Sequence, residues 1–182
     1  PDDVPSVSDT IDIVYEDENS LLVDKPVGMV VHEDESGDSD TLINRIKSYL
    51  YRKGEYHPEN ELSFAPALCN RIDRNTCGIV IAAKNAESLR ILNQKIRDRE
   101  LTKLYLCIAC GKVTPDSATL TAYLEKNSDT NTVKISDKKT KSNLTIKTKY
   151  KVIAYNGENS LLKVDLLTGR THQIRAHLAY IG

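Results

Sequence analysis

The sequence contains no tryptophan, and only one phenylalanine and one methionine occur among its 182 residues. Nine tyrosines supply nearly all of the aromatic surface, and a buried tyrosine needs a partner for its hydroxyl. No apolar run reaches the ~20 residues that a membrane-spanning helix needs, and no basic-then-apolar signal segment opens the chain. We therefore expect a cytoplasmic protein that does not enter a membrane.

Cysteines are few, and the spacing of the four that are present does not favour a metal centre. Cys107 and Cys110 have the two-residue gap of a zinc ligand pair, but they lie in an apolar run, residues 104–110, that is typical of a buried strand. Residues three apart on a strand point to opposite faces, so this pair is unsuited to chelating one ion. The prediction is reduced core thiols and no metal.

The net charge of −1 does not by itself favour nucleic acid, but the charges are distributed unevenly. Residues 1–40 contain thirteen acidic residues and one basic residue, Lys25. Residues 134–151 contain seven lysines and one acid, Asp137. This second segment is compatible with a local basic surface and equally with a solvated lysine-rich hairpin.

The residue patterns predict one α+β domain over residues 11–182, behind a loose lead-in at 1–10. Helical spacing predicts helices over 40–52, with Asp40 as the cap, over 86–99, and from about Thr171, with Ile174, Leu178 and Ile181 on one apolar stripe. Apolar alternation predicts strands at 11–15, 20–24, 79–83, 103–110, 119–125, 132–136, 143–154 and 160–166. Helices and antiparallel strands mix without a regular βαβ alternation, which is typical of the α+β class.

Three clusters of polar residues are candidates for chemistry. In the first, Asp73 lies between Arg71 and Arg74 in a turn before an apolar strand. Nearby positive charge favours the ionised carboxylate that a nucleophile or base requires, although a structural ion pair gives the same pattern. In the second, Lys103 and Tyr105 share one face of a strand, where a tyrosine can stack on a base, although a strand tyrosine is more often a core residue.

A third cluster is the run 168–175, Thr-Gly-Arg-Thr-His-Gln-Ile-Arg, at the start of the last predicted helix. Its hydroxyls, amide and two arginines are dense at a position where backbone N–H groups attract anions. That density favours phosphate binding, or an arginine held against a carboxylate. The alternative is an ordinary helix start capped by Thr171.

Taken in order, these clusters resemble the motifs of RNA pseudouridine synthases of the ribosomal large-subunit type, over residues 11–182. The run 22–28, Leu-Val-Asp-Lys-Pro-Val-Gly, is similar to the family's opening strand and Lys-Pro-x-Gly turn. The run 70–78, Asn-Arg-Ile-Asp-Arg-Asn-Thr-Cys-Gly, resembles the catalytic motif His-Arg-Leu-Asp-x-x-Thr-Ser-Gly. The segment 103–111 resembles the tyrosine motif, and 168–177 matches the Thr-Gly-Arg-Thr-His-Gln-Ile-Arg-x-His motif.

The resemblance implies an enzyme that isomerises uridines in RNA to pseudouridine, with no metal and no organic cofactor. It implies the pseudouridine synthase fold, a mixed but mainly antiparallel sheet with flanking helices and a catalytic cleft across the sheet. Asp73 would be the catalytic aspartate, Tyr105 would stack on the target uracil, and Arg175 would pair with Asp73 and hold it ionised. The residues expected to contact RNA are Arg71, Arg74, Arg170, Thr171, His172 and Gln173.

Large-subunit ribosomal RNA is the first expectation for the substrate and tRNA the second, with the protein acting as a monomer. Asn70, Ile72 and Cys77 replace the family's usual His, Leu and Ser, and none of these positions carries a charged role. The family continues beyond the equivalent of Gly182, so the catalytic domain is expected to be truncated there. Two other classes stay open: a non-catalytic RNA-binding or ribosome-assembly module of this fold, and a carboxylate-dependent nucleosidase or glycosidase.

Overall fold

A computed structural model of the protein describes residues 6–34, 37–60, 62–127, 129–130 and 132–182, so half of the expected lead-in at 1–10 lies outside the described residues. The chain divides into two compact units, Pro1–Glu100 and Leu101–Gly182. Each unit contains one sheet, and every strand pairing in the described residues is antiparallel, which together with the helices confirms the α+β class. Within the described residues, no helix combines the length and the apolarity needed to cross a bilayer.

The first unit consists of a four-stranded sheet, in the order β1-β2-β4-β3, and two helices. Its elements are β1 (Asp12–Glu16), β2 (Ser20–Lys25), α1 (Leu42–Lys53), β3 (Ala67–Leu68), β4 (Gly78–Ala83) and α2 (Ala86–Arg97). Side chains alternate along β2, so Leu21, Val23 and Lys25 share its buried face. Leu42, Ile46 and Leu50 of α1 are buried as well, at the helical spacing that predicted this helix.

The ends of the two helices in this unit differ in part from those predicted from the sequence. The expected cap of α1, Asp40, is wrong: Thr41 caps the helix by accepting from the Asn44 N–H, and Asp40 pairs instead with Arg45 at 2.6 Å. Helix α2 begins at a capping box formed by Asn85 and Ser88. It ends two residues earlier than predicted, since Arg99 adopts a left-handed φ of 57°.

Glu16, at the end of β1, ties the first unit together through hydrogen bonds. Its carboxylate accepts from Tyr49 at 2.8 Å and from Lys53 and Lys84 at 2.6 Å each. Burial alone would raise the pKa of Glu16, but these three donors outweigh burial and hold its pKa at about 2. The network therefore links β1 to α1 and to the residue that follows β4.

The second unit is a five-stranded sheet in the order β5-β9-β8-β6-β7, followed by one helix. Its elements are β5 (Leu104–Cys110), β6 (Ser117–Asn127), β7 (Thr132–Ser136), β8 (Leu144–Tyr155), β9 (Asn159–Leu166) and α3 (Gln173–Tyr180). One face of the sheet forms the core, where Tyr150, Leu162 and Val164 are buried. Ile174 and Leu178 of α3 pack against this cluster, so two residues of the apolar stripe predicted for the last helix face the sheet, while Ile181 follows the helix and is 45% exposed.

Two expectations about local environment are wrong, and one strand was missed. The run 104–110 is not a buried strand: β5 lies at the edge of its sheet, and Leu106 and Ile108 are 70% and 74% exposed. The thiols of Cys77 and Cys110 are exposed and not in the core. The short strand β3 was not predicted, because two residues are too few to show a period.

Candidate active site

Asp73 is carried by the loop that connects β3 to β4, and the start of this loop is fastened to β4. The side-chain oxygen of Asn70 accepts from the Ile81 N–H at 2.8 Å, and its amide donates to the Ile79 carbonyl at 3.2 Å. The Thr76 N–H donates to the Asp73 carbonyl at 3.0 Å and closes a turn around the aspartate. The side chain of Asp73 is half-buried. Asn70, where the resembled motif has His, thus holds the loop through backbone contacts.

Lys25 fixes the middle of the same loop from inside the first unit. Its side chain is 0% exposed, and its Nζ donates to the carbonyls of Pro26 at 2.8 Å, Met29 at 2.7 Å and Arg74 at 3.1 Å. The Arg74 carbonyl also accepts from the Gly28 N–H at 2.8 Å, where Gly28 has a φ of 91° that favours glycine. The Lys-Pro-Val-Gly turn therefore holds the peptide that follows Asp73.

The charged groups around this loop lie close enough to affect one another. Burial lowers the pKa of Lys25, an ionised Cys77 and the Asp73 carboxylate oppose that shift, and Arg74 adds to it. Asp73 therefore lies within electrostatic range of a buried ammonium. The guanidinium of Arg74 reaches Asp34 at 3.3 Å and Asp38 at 3.7 Å, so its charge is largely balanced by the acidic segment before α1. Arg71 is exposed.

In the second unit, Gln173 locks the turn before α3 onto β8. It is 2% exposed, and its side-chain oxygen accepts from the Thr168 hydroxyl at 2.9 Å and the Arg170 N–H at 3.1 Å. Its amide donates to the Lys147 carbonyl at 3.1 Å and the Thr148 hydroxyl at 3.0 Å. All of its polar groups are used inside the unit, so Gln173 positions the turn and presents nothing to an RNA at the surface.

His177 extends the same buried network. It is 1% exposed, and its Nδ1 lies 2.8 Å from the Thr148 hydroxyl. Because that hydroxyl accepts from Gln173, its own hydrogen is free to be donated to an unprotonated Nδ1. Burial lowers the pKa of His177, in agreement with a neutral imidazole.

The remaining residues of the 168–175 run lie closer to the surface. Arg170, Thr171 and Arg175 are exposed and His172 is half-buried. The alternative that Thr171 caps the helix is wrong: His172 occupies the N-cap with a left-handed φ of 55° and makes no side-chain cap hydrogen bond. The turn therefore presents two guanidiniums and a hydroxyl outward, while its amide side chain is held inside.

Tyr105 lies on the core face of β5, half-buried, where it pairs across the sheet with Val164. Lys103, two residues earlier, lies beside the turn of the third cluster, since a side-chain carbon at Gly169 would be 3.4 Å from its Nζ. The second unit thus brings the tyrosine strand and the 168–175 run together. The first unit brings Asp73, Lys25 and Arg74 together.

One contributor was missed from the sequence, although a signal for it was present. Lys25 falls on the same alternation as Leu21 and Val23, so the pattern that predicts β2 also places this lysine on the buried face. A buried lysine needs acceptors, and the nearest available acceptors belong to the turn and to the Asp73 loop. Within the described ranges, no group of three or more His, Cys, Asp or Glu side chains is placed to hold a metal ion.

Comparison with known proteins places this geometry in a family. The family model for RNA pseudouridylate synthase matches residues 19–180. Ribosomal large subunit pseudouridine synthase D of Borreliella burgdorferi is 32% identical over 172 residues, which are 94% of this chain and 52% of that protein. The mitochondrial tRNA pseudouridine(32) synthase of Saccharomyces cerevisiae is 31% identical over 182 residues, 98% of this chain and 36% of that protein.

A solved structure agrees at the level of the fold. Human RNA pseudouridylate synthase domain containing 1 superposes with a TM-score of 0.74 at 22% identity, covering 96% of this chain and 66% of that chain. The chain spans about half the length of the Borreliella relative that it matches. The family match covers both the Asp73 loop and the 168–175 run. The chain therefore belongs to the RNA pseudouridylate synthase family.

Proposed function

We propose that the protein converts uridine to pseudouridine in RNA, with Asp73 as the catalytic carboxylate. The observation that carries this proposal is the way the Asp73 loop is held. Asn70 fastens its start to β4, and Lys25 and Gly28 both donate to the carbonyl of the next residue. A carboxylate that must meet a sugar carbon at a defined distance requires such a fixed backbone. Membership of the family supports the same role.

The reaction makes three demands on the protein. The target base must leave its stack, at a cost of a few kcal/mol. The bond between N1 and C1′ then breaks, the base turns over, C5 bonds to C1′, the C5 proton leaves, and N1 gains a proton. In this proposal Asp73 either attacks C1′ or removes the C2′ proton, as carboxylates act at other glycosidic carbons. Tyr105 stacks on the uracil and assists proton removal at C5, and Arg175 pairs with Asp73.

The residues proposed to meet the RNA backbone are those of the two clusters that carry exposed donors. They are Arg71, Arg170, Thr171 and His172. Guanidiniums bind phosphates in a planar, two-bond geometry, which suits the two arginines. Arg74 has to release Asp34 and Asp38 before it can join them. We propose large-subunit ribosomal RNA as the first substrate class to test and tRNA as the second. Of the two relatives described above, one is named for the ribosomal large subunit and the other for tRNA.

The decisive experiment is Asp73→Asn, which keeps the size of the side chain and removes its negative charge. We expect pseudouridine formation to fall by at least roughly a thousandfold while RNA affinity changes little. Tritium release from RNA labelled at C5 of uridine measures turnover, and filter binding measures affinity. Asp24→Asn, an exposed aspartate of the same unit, is the matched control and should keep full activity.

Three results would contradict the proposal, each in a different way. Normal turnover in Asp73→Asn would remove the aspartate from the mechanism. RNA binding by the wild-type protein without any isomerisation would favour the non-catalytic module. Release of free uracil would favour a nucleosidase.

A further inference from the structure

The face of the second sheet that points away from α3 carries a group of exposed lysines. Lys147, Lys149 and Lys151 alternate along β8 with the buried Ile146, Thr148 and Tyr150, and Lys163 of β9 pairs with Lys151. We call these four residues the lysine face. Alternate residues on a strand are about 6.6 Å apart and neighbouring strands about 4.8 Å, so the four ammonium groups share a surface about 13 Å long.

Hydroxyl groups lie beside these lysines in register. On the neighbouring strand β6, Thr121 is opposite Lys147, Thr119 opposite Lys149 and Ser117 opposite Lys151. All three hydroxyl residues are exposed. Each lysine on β8 is therefore accompanied by a hydroxyl on the same face, and ammonium and hydroxyl groups together are common partners of phosphate oxygens.

The positive charge of this face is not neutralised by the protein. Among the residues that the structure describes, none of the four lysines forms an ion pair with a carboxylate. One acid lies in the same register, Asp165 opposite Lys149. Burial, and after it the charge of Asp116 just before β6, raise the pKa of Tyr150 on the core face, so Asp116 lies within electrostatic range of that tyrosine. Four lysines against one acid leave a net positive surface on a chain whose net charge is −1.

Within the second unit, the lysine face lies on the opposite side of the sheet from Tyr105. Tyr105 packs with Tyr150 and Val164 on the core face of the sheet, and α3 covers that same face. The lysines point to the other side. An RNA that contacts both faces must therefore pass around an edge of this sheet.

We infer that the lysine face is a second RNA contact surface, which binds backbone phosphates of the substrate outside the segment that reaches Tyr105. The inference rests on the proposed function, because it takes the substrate to be RNA. The lysine face would bind the RNA backbone independently of sequence. Its ammonium groups would release counterions from the phosphates and so contribute affinity without contacting the bases. The lysine face therefore adds affinity for the RNA backbone and leaves the chemical step unchanged.

The test combines Lys147→Gln, Lys149→Gln and Lys151→Gln in one protein and measures its binding to a large-subunit ribosomal RNA transcript at several salt concentrations. We expect the Kd to rise roughly tenfold at low salt. Each lost phosphate contact lowers the steepness of log affinity against log salt by about 0.7, so the three substitutions together should lower it by about 2. The rate of pseudouridine formation at saturating transcript should stay unchanged.

Two matched variants give this test its specificity. Lys112→Gln, Lys138→Gln and Lys141→Gln together remove the same charge from exposed positions off the lysine face, and should leave the slope nearly intact. Lys147→Arg, Lys149→Arg and Lys151→Arg together keep the charge and should restore binding, which separates loss of phosphate contacts from misfolding.

The possible results distinguish this inference from the proposed function. Equal slopes for the two glutamine variants would overturn the inference, and so would a wild-type protein that does not bind the transcript. Wild-type binding without pseudouridine formation would overturn the proposed function alone, because the role of the lysine face is judged by binding.

Discussion

Replacing Lys25 by methionine tests how the Asp73 loop is held. Methionine has nearly the same length and fills the same buried space, but it cannot donate a hydrogen bond. Three carbonyls, those of Pro26, Met29 and Arg74, lose their shared donor. The Arg74 carbonyl keeps the Gly28 N–H, so the loss falls mainly on the other two.

The magnitude follows from those two carbonyls. An acceptor left unsatisfied inside a protein costs about 1–3 kcal/mol, so two of them cost about 2–6 kcal/mol. Removing a buried ammonium recovers part of this, because Lys25 no longer has to be desolvated. We expect a net loss of about 3 kcal/mol in the free energy of unfolding. We also expect a lower rate of pseudouridine formation in the fraction that stays folded, since the Arg74 carbonyl after Asp73 keeps one hydrogen bond, from the Gly28 N–H, where it had two.

Urea unfolding followed by circular dichroism measures the stability, and single-turnover assays under conditions that keep the variant folded measure the rate. Lys84→Met is the matched control: Lys84 is nearly buried and bonds Glu16 and Glu55, but it does not contact the Asp73 loop. Both variants should lose stability, and only Lys25→Met should lose rate in its folded fraction. The reasoning is refuted if Lys25→Met unfolds within about 0.5 kcal/mol of wild type, or if both variants keep the full rate.

Two further predictions concern charge. Arg175→Met should lower the single-turnover rate of pseudouridine formation while leaving RNA affinity within about threefold, because the proposed ion pair with Asp73 is lost; an unchanged rate would contradict that pairing. Glu16 has a folded pKa of about 2 against an ordinary 4.5, so its contribution of roughly 3 kcal/mol is fully present above pH 4.5 and is lost as the pH falls towards 2. Urea unfolding measured at several pH values should show that Glu16→Gln loses less free energy of unfolding than wild type between pH 4.5 and 2. An equally large loss in the variant would exclude Glu16 as the source of the acid sensitivity.

Most of the architecture could be predicted because it depends on short-range periods. Alternation placed β8 and β9 to within a residue, and the apolar stripe of the last helix indicated the face that packs on the sheet. Errors arose where one position decided the outcome. Arg99 lies just beyond the end of α2 and His172 just before the start of α3, and both have a left-handed φ. Hydrophobic periodicity does not predict which single residue adopts that conformation. The exposure of β5 depends on its place at the edge of the sheet, which strand order sets and local sequence does not.

The candidate site divides in the same way. The ordered motifs identified Asp73, Tyr105 and the 168–175 run, because each motif is a local pattern of chemical groups. The same motifs did not show that Gln173 is internal. Its partners Lys147 and Thr148 lie 26 and 25 residues away in sequence, and only the packing of α3 on β8 brings them to its amide.

The sequence by itself determined the family, most of the secondary structure and the identity of the proposed catalytic carboxylate, because motifs and periods are local properties of the chain. Tertiary structure alone decided what holds that carboxylate's loop, through a contact between Lys25 and the Arg74 carbonyl that spans 49 residues. It also decided that lysines scattered over 147–163 form one exposed face. In both cases the outcome depends on the face of the strand on which a residue lies and on the residue opposite it in the neighbouring strand. Strand register sets both.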